Sequence, residues 1–229
     1  EDSDAWYNKG VALGKLERHE EAIACFEEAI RLDPENPKAW WNIGITFVQQ
    51  GKYEEVVACF DKIIKFDPKI SSSWNNKGTA LLRLERHEEA LSCFEEAIRL
   101  DPEYSVAWNN KGSSLASLGR HEEALSCFEE AIRLDPEYSV AWYNKAIALG
   151  ELERHEEAIA CYEEAIKWDP EYSDAWYNKG SSLASLERYE EAIACFDEAI
   201  AIDKNMGGEA DSNLLLLKDN SLKKLGKSD

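Results

Sequence analysis

The chain has 229 residues, of which 44% are hydrophobic and 31% are charged, and its formal net charge at pH 7 is −20. A surface this acidic repels phosphate backbones and anionic lipid, so we expect neither nucleic acid nor a membrane as a partner. The sequence contains no apolar run long enough to span a bilayer and no signal-peptide pattern, and we therefore expect a cytoplasmic protein. Because it opens at Glu1 without an initiator methionine, we also expect a fragment of a longer protein.

A tryptophan recurs every 34 residues along the chain, at Trp6, Trp40, Trp74, Trp108, Trp142 and Trp176. A phrase such as AWYNKG surrounds it, and a second phrase such as EEAIACFEEAI follows at a constant offset. One supersecondary unit is therefore repeated six times, which predicts repeats at 3–36, 37–70, 71–104, 105–138, 139–172 and 173–206. Repeat arrays bury their core between neighbouring units, so one elongated domain is expected.

Each repeat predicts a pair of amphipathic helices, and the first helix of repeat one illustrates the pattern. Ser3 is expected to cap this helix, which carries Trp6, Gly10 and Leu13 at helical spacing. A glycine inside a helix costs about 0.8–1 kcal/mol relative to alanine. Its recurrence at this position therefore indicates that the two helices approach each other closely.

The second helix of repeat one is predicted to begin at Glu20, because acidic residues suit the positive end of the helix dipole. Phe26 lies on its apolar face between small alanines at helical spacing. The helix is expected to end at Asp33, since a residue that precedes proline is driven out of the α region.

Trp, Gly, a bulky apolar residue, Ala, Phe, Ala and Pro recur at spacings that resemble the tetratricopeptide repeat, from Ser3 to about Met206. The resemblance implies an all-α fold, an α-solenoid in which antiparallel helix pairs form a right-handed superhelix. It also implies that first helices line a concave groove and second helices form the convex back. Residues 207–229 depart from the pattern, and their leucines predict a C-terminal capping helix.

The first helices supply the candidate binding residues. One asparagine per repeat resembles the asparagine ladders of known tetratricopeptide grooves, and its amide can clamp an extended peptide backbone. The residue before it varies between repeats, which indicates a groove position rather than a core position. The candidates are Tyr7, Asn8, Trp41, Asn42, Asn75, Asn76, Asn109, Asn110, Tyr143, Asn144, Tyr177 and Asn178. The alternatives are that each asparagine fixes its neighbouring helix and that the variable residues are ordinary helix packing.

Charge is distributed unevenly over the repeat. Half of the 46 acidic residues flank the cores of the second helices. The groove sites are approximately neutral, and in repeat one they are Asp4, Tyr7, Asn8, Val11, Gly14 and Lys15. A further lysine follows the asparagine in five repeats, at Lys9, Lys77, Lys111, Lys145 and Lys179. These lysines either make the groove edge positive by extending towards it or solvate a seam between helices.

No catalytic or cofactor-binding motif is present in the sequence. The six cysteines occupy one position of each repeat, too far apart for intrachain disulfides, and histidine and cysteine do not share a helix face, so we expect no metal site. The sequence therefore predicts a non-catalytic scaffold, without a cofactor, that binds another protein or peptide segment in the groove. The alternative is an assembly module that forms homo-oligomers through its exposed ends.

Overall fold

The computed structural model describes residues 2–207 and 212–226, and every regular element within these ranges is an α-helix. The first helices of the repeats are α1 (Ser3–Lys15), α3 (Pro37–Gln49), α5 (Ser71–Arg83), α7 (Ser105–Ser117), α9 (Ser139–Glu151) and α11 (Ser173–Ser185). The second helices are α2 (His19–Leu32), α4 (Tyr53–Phe66), α6 (His87–Leu100), α8 (His121–Leu134), α10 (His155–Trp168) and α12 (Tyr189–Asn205), followed by α13 (Ser212–Lys224). The predicted all-α class is confirmed. No helix in the described ranges combines the length and apolarity that crossing a membrane requires.

The chain divides into two compact units, Glu1–Ser114 and Leu115–Asp229. In the first unit each helix from α1 to α6 packs on the next, and α1 also contacts α3. In the second unit the same order runs from α8 to α13, with further contacts of α11 with α9 and α13. Within each unit, neighbouring helix pairs therefore complete one another's core, as expected for a repeat array.

The serine that opens repeat one does not cap its helix, so that expectation was wrong. The helix begins one residue earlier than predicted, and its cap is Asp2, whose carboxylate accepts a hydrogen bond of 3.0 Å from the backbone N–H of Asp4. Ser3 already has a helical backbone, and its hydroxyl donates to the carbonyl oxygen of Ala29 at 3.0 Å. The serine thus joins the two helices of one repeat instead of ending one of them.

The recurring glycine lies directly against the phenylalanine ring of the second helix. A Cβ atom added to Gly10 would stand 2.6 Å from Cε1 of Phe26, and one added to Gly78 would stand 2.7 Å from Cε1 of Phe94. Both phenylalanines are buried. The close approach predicted from the recurring glycine is therefore confirmed in these repeats.

The recurring tryptophan fixes the turn between one repeat and the next. The indole N–H of Trp74 donates to the carbonyl oxygen of Pro68 at 2.9 Å, and Trp142 makes the equivalent bond to Pro136 at 3.0 Å. In the first of these turns, Oδ1 of Asp67 accepts a 3.0 Å bond from the backbone N–H two residues later. Because proline has no N–H and cannot continue the helix, the turn is held through its carbonyl group instead.

The C-terminal helix α13 packs on α12 and α11. Leu214 is 2% exposed and joins a buried cluster with Leu183, Phe196 and Ile200. This contact covers the apolar side of the last helix pair. Residues 208–211 and 227–229 of the predicted capping segment lie outside the described residues.

The turn inside each repeat contains one residue with a left-handed backbone. Its φ is 59° at Glu17, 58° at Glu85, 57° at Glu153 and 61° at Glu187, and glycine occupies the same place at Gly51 and Gly119. A side chain in this conformation costs about 1–2 kcal/mol, whereas glycine adopts it freely but loses more conformational freedom on folding.

We therefore expect Glu85→Gly to raise the free energy of unfolding by about 0.5–1 kcal/mol. Urea denaturation followed by circular dichroism measures the change. The reciprocal variant Gly51→Glu serves as the matched control and is expected to lower the free energy of unfolding by a similar amount. Unchanged midpoints in both variants would contradict the argument.

Candidate functional site

Two of the candidate asparagines are bonded to a tyrosine of the preceding repeat. Nδ2 of Asn42 donates to the hydroxyl of Tyr7 at 3.2 Å and to the carbonyl oxygen of Lys38 at 2.9 Å. The arrangement recurs at Asn178, whose Nδ2 donates to the hydroxyl of Tyr143 at 3.1 Å and to a carbonyl one turn earlier at 2.9 Å. Both amide hydrogens are thus engaged, and the amide oxygen is the group without a partner among the described residues.

Repeats three and four have asparagine where repeats one and five have tyrosine. Asn75 and Asn109 are 4% and 3% exposed, so the expected accessible position is buried there. Oδ1 of Asn75 accepts a 3.0 Å bond from Asn110, whose own Oδ1 accepts a 3.3 Å bond from Asn109. An asparagine side chain is shorter than a tyrosine side chain. It therefore ends at its hydrogen bond beside the helix and does not reach the surface, which is why Asn75 and Asn109 are buried.

The remaining asparagines differ in their surroundings. Asn8 is exposed, whereas Asn76 and Asn144 are half-buried. Asn76 stands one repeat after Trp41, whose indole has no acceptor atom, and its amide has no hydrogen-bond partner among the described residues. Asn144 interacts with a neighbouring group.

The aromatic candidates pack on the core ring of their own repeat. The ring centroids lie 5.9 Å apart for Tyr7–Phe26, 5.2 Å for Trp41–Phe60, 6.0 Å for Tyr143–Tyr162 and 6.3 Å for Tyr177–Phe196. All four candidate rings are half-buried. Helix packing, which the sequence left open as the alternative, therefore accounts for part of each ring, and the rest faces solvent.

Two equivalent pockets lie between adjacent first helices, and we call them the first-helix pockets. One has a volume of about 350 Å³ between α1 and α3, and the other has about 260 Å³ between α9 and α11. Each is lined by a glycine of the earlier first helix, the core ring of the earlier repeat and the asparagine of the later repeat. These residues are Gly14, Phe26 and Asn42 in one pocket and Gly150, Tyr162 and Asn178 in the other.

The pockets are lined partly by residues that the sequence placed at the groove and partly by buried core rings. Val11, Gly14 and Lys15 were expected at the groove and do line the first pocket. Phe26 was predicted to lie on the apolar face of its helix, and both it and its equivalent Tyr162 are buried, yet both rings also line these pockets. The exchange of phenylalanine for tyrosine at residue 162 was an available signal, because a buried hydroxyl needs a polar neighbour.

Burial raises the pKa of Tyr143 to about 12, and the nearby Asp174 carboxylate adds to that effect. The hydroxyl therefore keeps its proton at neutral pH. It can donate that proton to a ligand while its oxygen accepts the bond from Asn178. The second pocket thus combines one donor, the tyrosine hydroxyl, with one acceptor, the amide oxygen.

Four of the five recurring lysines are directed to the seam between helices and not to the groove, which favours the second of the two alternatives for them. Each pairs with an acid on the second helix of the preceding repeat, at 2.6 Å for Lys77–Asp61, 3.2 Å for Lys111–Glu95, 3.0 Å for Lys145–Glu129 and 2.9 Å for Lys179–Glu163. We call these four residues the seam lysines. Each ammonium group lies near an acid of the preceding repeat and over the tryptophan ring of its own helix. Together these two contacts hold the lysine at the seam more favourably than open solvent does.

Four of the six cysteines carry thiols that burial makes less reactive. All six are free and buried, and burial raises the pKa of Cys59, Cys93, Cys161 and Cys195. A protonated thiol is a poor nucleophile and a poor metal ligand. Over residues 2–207 and 212–226, no group of three or more histidine, cysteine, aspartate or glutamate side chains is arranged to hold a metal ion.

Sequence models of the tetratricopeptide repeat match residues 3–36, 37–70, 75–139 and 143–206. No curated protein matches the chain in sequence. The chain is similar to the solved structure of YrrB, described as a TPR protein with an unusual peptide-binding site. The two are 25% identical with a TM-score of 0.61, over 83% of this chain and 95% of YrrB.

Two other solved structures share the fold. TTC0263, a thermophilic TPR protein of Thermus thermophilus, is 23% identical with a TM-score of 0.63, over 80% of this chain and 100% of that one. The pilF protein of Pseudomonas aeruginosa is 19% identical with a TM-score of 0.73, over 87% of this chain and 91% of that one. At these identities the likeness shows the α-solenoid fold alone.

Proposed function

Because this chain belongs to the tetratricopeptide repeat family, we propose that it is a non-catalytic scaffold that binds an extended segment of another protein along its first helices. The observation that carries the proposal is that the same pocket recurs at two places, with a free amide oxygen at Asn42 and at Asn178. The peptide-binding site of YrrB, a relative of the same fold, gives the proposal a precedent.

The asparagines hold the peptide mainly as acceptors. The amide oxygens of Asn42 and Asn178 receive backbone N–H groups, while the hydroxyl of Tyr143 donates to a backbone carbonyl group. These hydrogen bonds recognise the backbone of the peptide and do not depend on the identity of its side chains. Because Tyr7 and Tyr143 already fix the amides, little side-chain freedom is lost when the peptide binds.

The partner is a protein and not a nucleic acid, because the net charge of −20 opposes a phosphate backbone. Partly exposed rings at Tyr7, Trp41, Tyr143 and Tyr177 supply apolar anchor points beside the asparagines. They select apolar side chains of the peptide at intervals set by the repeat. The cytoplasm, where the six free thiols stay reduced, suits such a protein.

A differential pull-down tests this proposal. The unmodified chain is compared with the double variant Asn42→Ala and Asn178→Ala, and captured proteins are identified by mass spectrometry. The net value of a hydrogen bond is about 0.5–1.5 kcal/mol, so two lost bonds are expected to weaken capture about tenfold. The matched control is Tyr7→Phe, which breaks the bond between repeats one and two but keeps both amide oxygens and the hydroxyl of Tyr143.

Equal capture by all three proteins would show that the first-helix pockets do not bind the partner. A mass that increases with protein concentration, without capture, would favour assembly through the chain ends instead. The observation that supports this alternative is that Ala5 and Ala12 are exposed, whereas their equivalents in repeats two and three are buried, and that Leu16 is 66% exposed. Circular dichroism establishes that each variant is folded.

A further inference from the structure

A pocket of about 370 Å³ opens on the second-helix side between repeats one and two, and we call it the seam pocket. Its walls include Trp40, Ile43 and Phe47 from α3, Glu27 from α2 and Glu55 from α4. An equivalent pocket of about 340 Å³ lies between repeats five and six. There, Lys179 stands at the place of Ile43, so the two pockets are alike in shape and differ in charge.

The first unusual feature of the seam pocket is Glu27. In the other repeats the acid at this position is paired, in Asp61–Lys77, Glu95–Lys111, Glu129–Lys145, Glu163–Lys179 and Asp197–Lys218. The last of these pairs uses a lysine of α13 in place of a seam lysine. Glu27 alone has no ion pair among the described residues, because the equivalent position in repeat two is Ile43.

The second unusual feature is Glu55. Its equivalents pair with an arginine at the start of the same helix, in Arg18–Glu21, Arg86–Glu89, Arg120–Glu123, Arg154–Glu157 and Arg188–Glu191, at 2.6–2.7 Å. Repeat two has Lys52 at the arginine position, and its ammonium group lies 5.7 Å from the ring centroid of Phe47. Glu55 is therefore also without an ion pair in the part of the chain that the structure describes.

The third unusual feature is the ring of Trp40. In every other repeat a lysine ammonium lies over this tryptophan, 4.9 Å from the centroid at Trp6 and 5.6–6.0 Å at Trp74, Trp108, Trp142 and Trp176. No cation of the described residues lies over Trp40. Two unpaired carboxylates and one unoccupied aromatic face thus meet at the same pocket.

The thiol beside the pocket reports the same imbalance of charge. Burial, and after it Glu55, raises the pKa of Cys59 to about 12. Burial also raises the pKa of Cys93, Cys161 and Cys195, but a seam lysine lowers each of these in part. The effect of Glu55 on Cys59 therefore lacks the partial offset that a seam lysine gives to the other three thiols.

We propose that the seam pocket binds an arginine or lysine side chain presented by a protein partner. The alkyl part of the side chain packs on Ile43 and Phe47, and its charged end lies between Glu27 and Glu55 over the ring of Trp40. Arginine fits best, because its planar guanidinium group stacks on aromatic rings and donates to two carboxylates at once. Lys62 also lines the pocket, so the residues of its walls carry two negative charges and one positive charge.

This site is separate from the first-helix pockets. It is formed by the second helices and one side of α3, and it involves neither Asn42 nor Tyr7. A partner can therefore engage the acidic side of the array while a peptide occupies the first helices. The double variant Asn42→Ala and Asn178→Ala is expected to leave this binding unchanged, which distinguishes the two proposals.

A titration of the isotopically labelled chain with N-acetyl-Gly-Arg-Gly-amide, followed by nuclear magnetic resonance, tests the proposal at low salt. We expect saturable shifts at the backbone amides of Glu27, Ile43 and Glu55 and at the indole N–H of Trp40. The same peptide with citrulline, which is uncharged and nearly isosteric, is expected to bind at least about tenfold more weakly.

The decisive variant is Ile43→Lys, which restores the residue found at this place in repeats three to six. Its ammonium group is expected to occupy the site and to weaken binding of the arginine peptide by about tenfold or more. The matched control Ile45→Lys adds the same charge two residues away, at a first-helix pocket, and is expected to change affinity less than about threefold. The exposed double variant Glu27→Gln and Glu55→Gln must also weaken binding, and it keeps the apolar packing intact.

Three results would overturn the proposal. The first is equal binding of the citrulline peptide, which would make the pocket an apolar site. The second is undiminished binding to Ile43→Lys, which would place the peptide elsewhere. The third is a set of shifts spread evenly over the acids of all second helices, which would indicate nonspecific attraction to the net charge.

Discussion

Replacing Phe94 by alanine is expected to lower the free energy of unfolding by about 3–5 kcal/mol. The ring is 0% exposed and lies in a cluster with Val56, Phe60 and Leu81. One side of the space that it fills is the backbone of α5 at Gly78, which cannot collapse into a cavity as flexible side chains can. The variant should therefore lose nearly all of the free energy of burying the ring, and it should also bear nearly the full cost of the cavity that the ring leaves.

Urea denaturation followed by circular dichroism and by tryptophan fluorescence measures this loss. Phe66→Ala is the matched control, because Phe66 is 41% exposed and its removal is expected to cost less than about 1 kcal/mol. Similar losses in the two variants would show that the cluster around Phe94 does not stabilise the array. Divergence of the two signals would show that the array does not unfold in a single two-state transition, as nearest-neighbour coupling allows.

The variant Gly78→Ala is expected to destabilise the protein by about 1–2 kcal/mol, although alanine is the better helix former. The substitution gains about 1 kcal/mol in helix propensity. Its new methyl group, however, would stand 2.7 Å from Cε1 of Phe94, so this fully buried ring would have to shift. Overpacking of this kind costs about 1–3 kcal/mol and outweighs the gain.

Gly150→Ala is the control, because no atom lies within 4 Å of its added Cβ and the helix gain is unopposed. It is expected to stabilise the protein by up to about 1 kcal/mol. A Gly78→Ala variant as stable as Gly150→Ala would refute the packing argument. Combining Gly78→Ala with Phe94→Leu is expected to cost less than the sum of the single changes, since the smaller side chain makes room for the methyl group.

The sequence predicted the elements that depend on a periodic pattern, and it failed where a side chain finds its partner in another helix. Trp74, Gly78 and Phe94 fill the core because their spacing places them on facing sides of two helices. Ser3 has the composition of a local cap, but a carbonyl of α2 lies within its reach and takes the bond. Local propensity could not include that distant acceptor.

The candidate groove residues show the same limit. The sequence places Asn42 and Asn178 on the first helices, but their bonds run to tyrosines 35 residues earlier, across two helices. The tie between helices uses Nδ2 of each amide and leaves its oxygen for the proposed contact with a peptide, whereas the sequence presented the tie and the asparagine ladder as alternatives. The seam lysine Lys77 follows the same rule, because Asp61 precedes it by a whole helix pair and the pairing depends on how that pair docks.

The seam lysines have a consequence for how such a chain changes its length. The lysine always belongs to the later repeat and its acid to the earlier one, so a copied block of 34 residues carries both halves of the joint. When a whole 34-residue block is inserted or lost in register, each lysine still meets an acid of the preceding repeat. No second mutation is then needed to restore the contact between repeats. Repeat two is the exception, since a copy beside itself would place an isoleucine against Asp61. Arg86–Tyr104 and Arg120–Tyr138 have the same sequence. They belong to repeats three and four, where a duplicated 34-residue block would keep every lysine–acid pair between successive repeats.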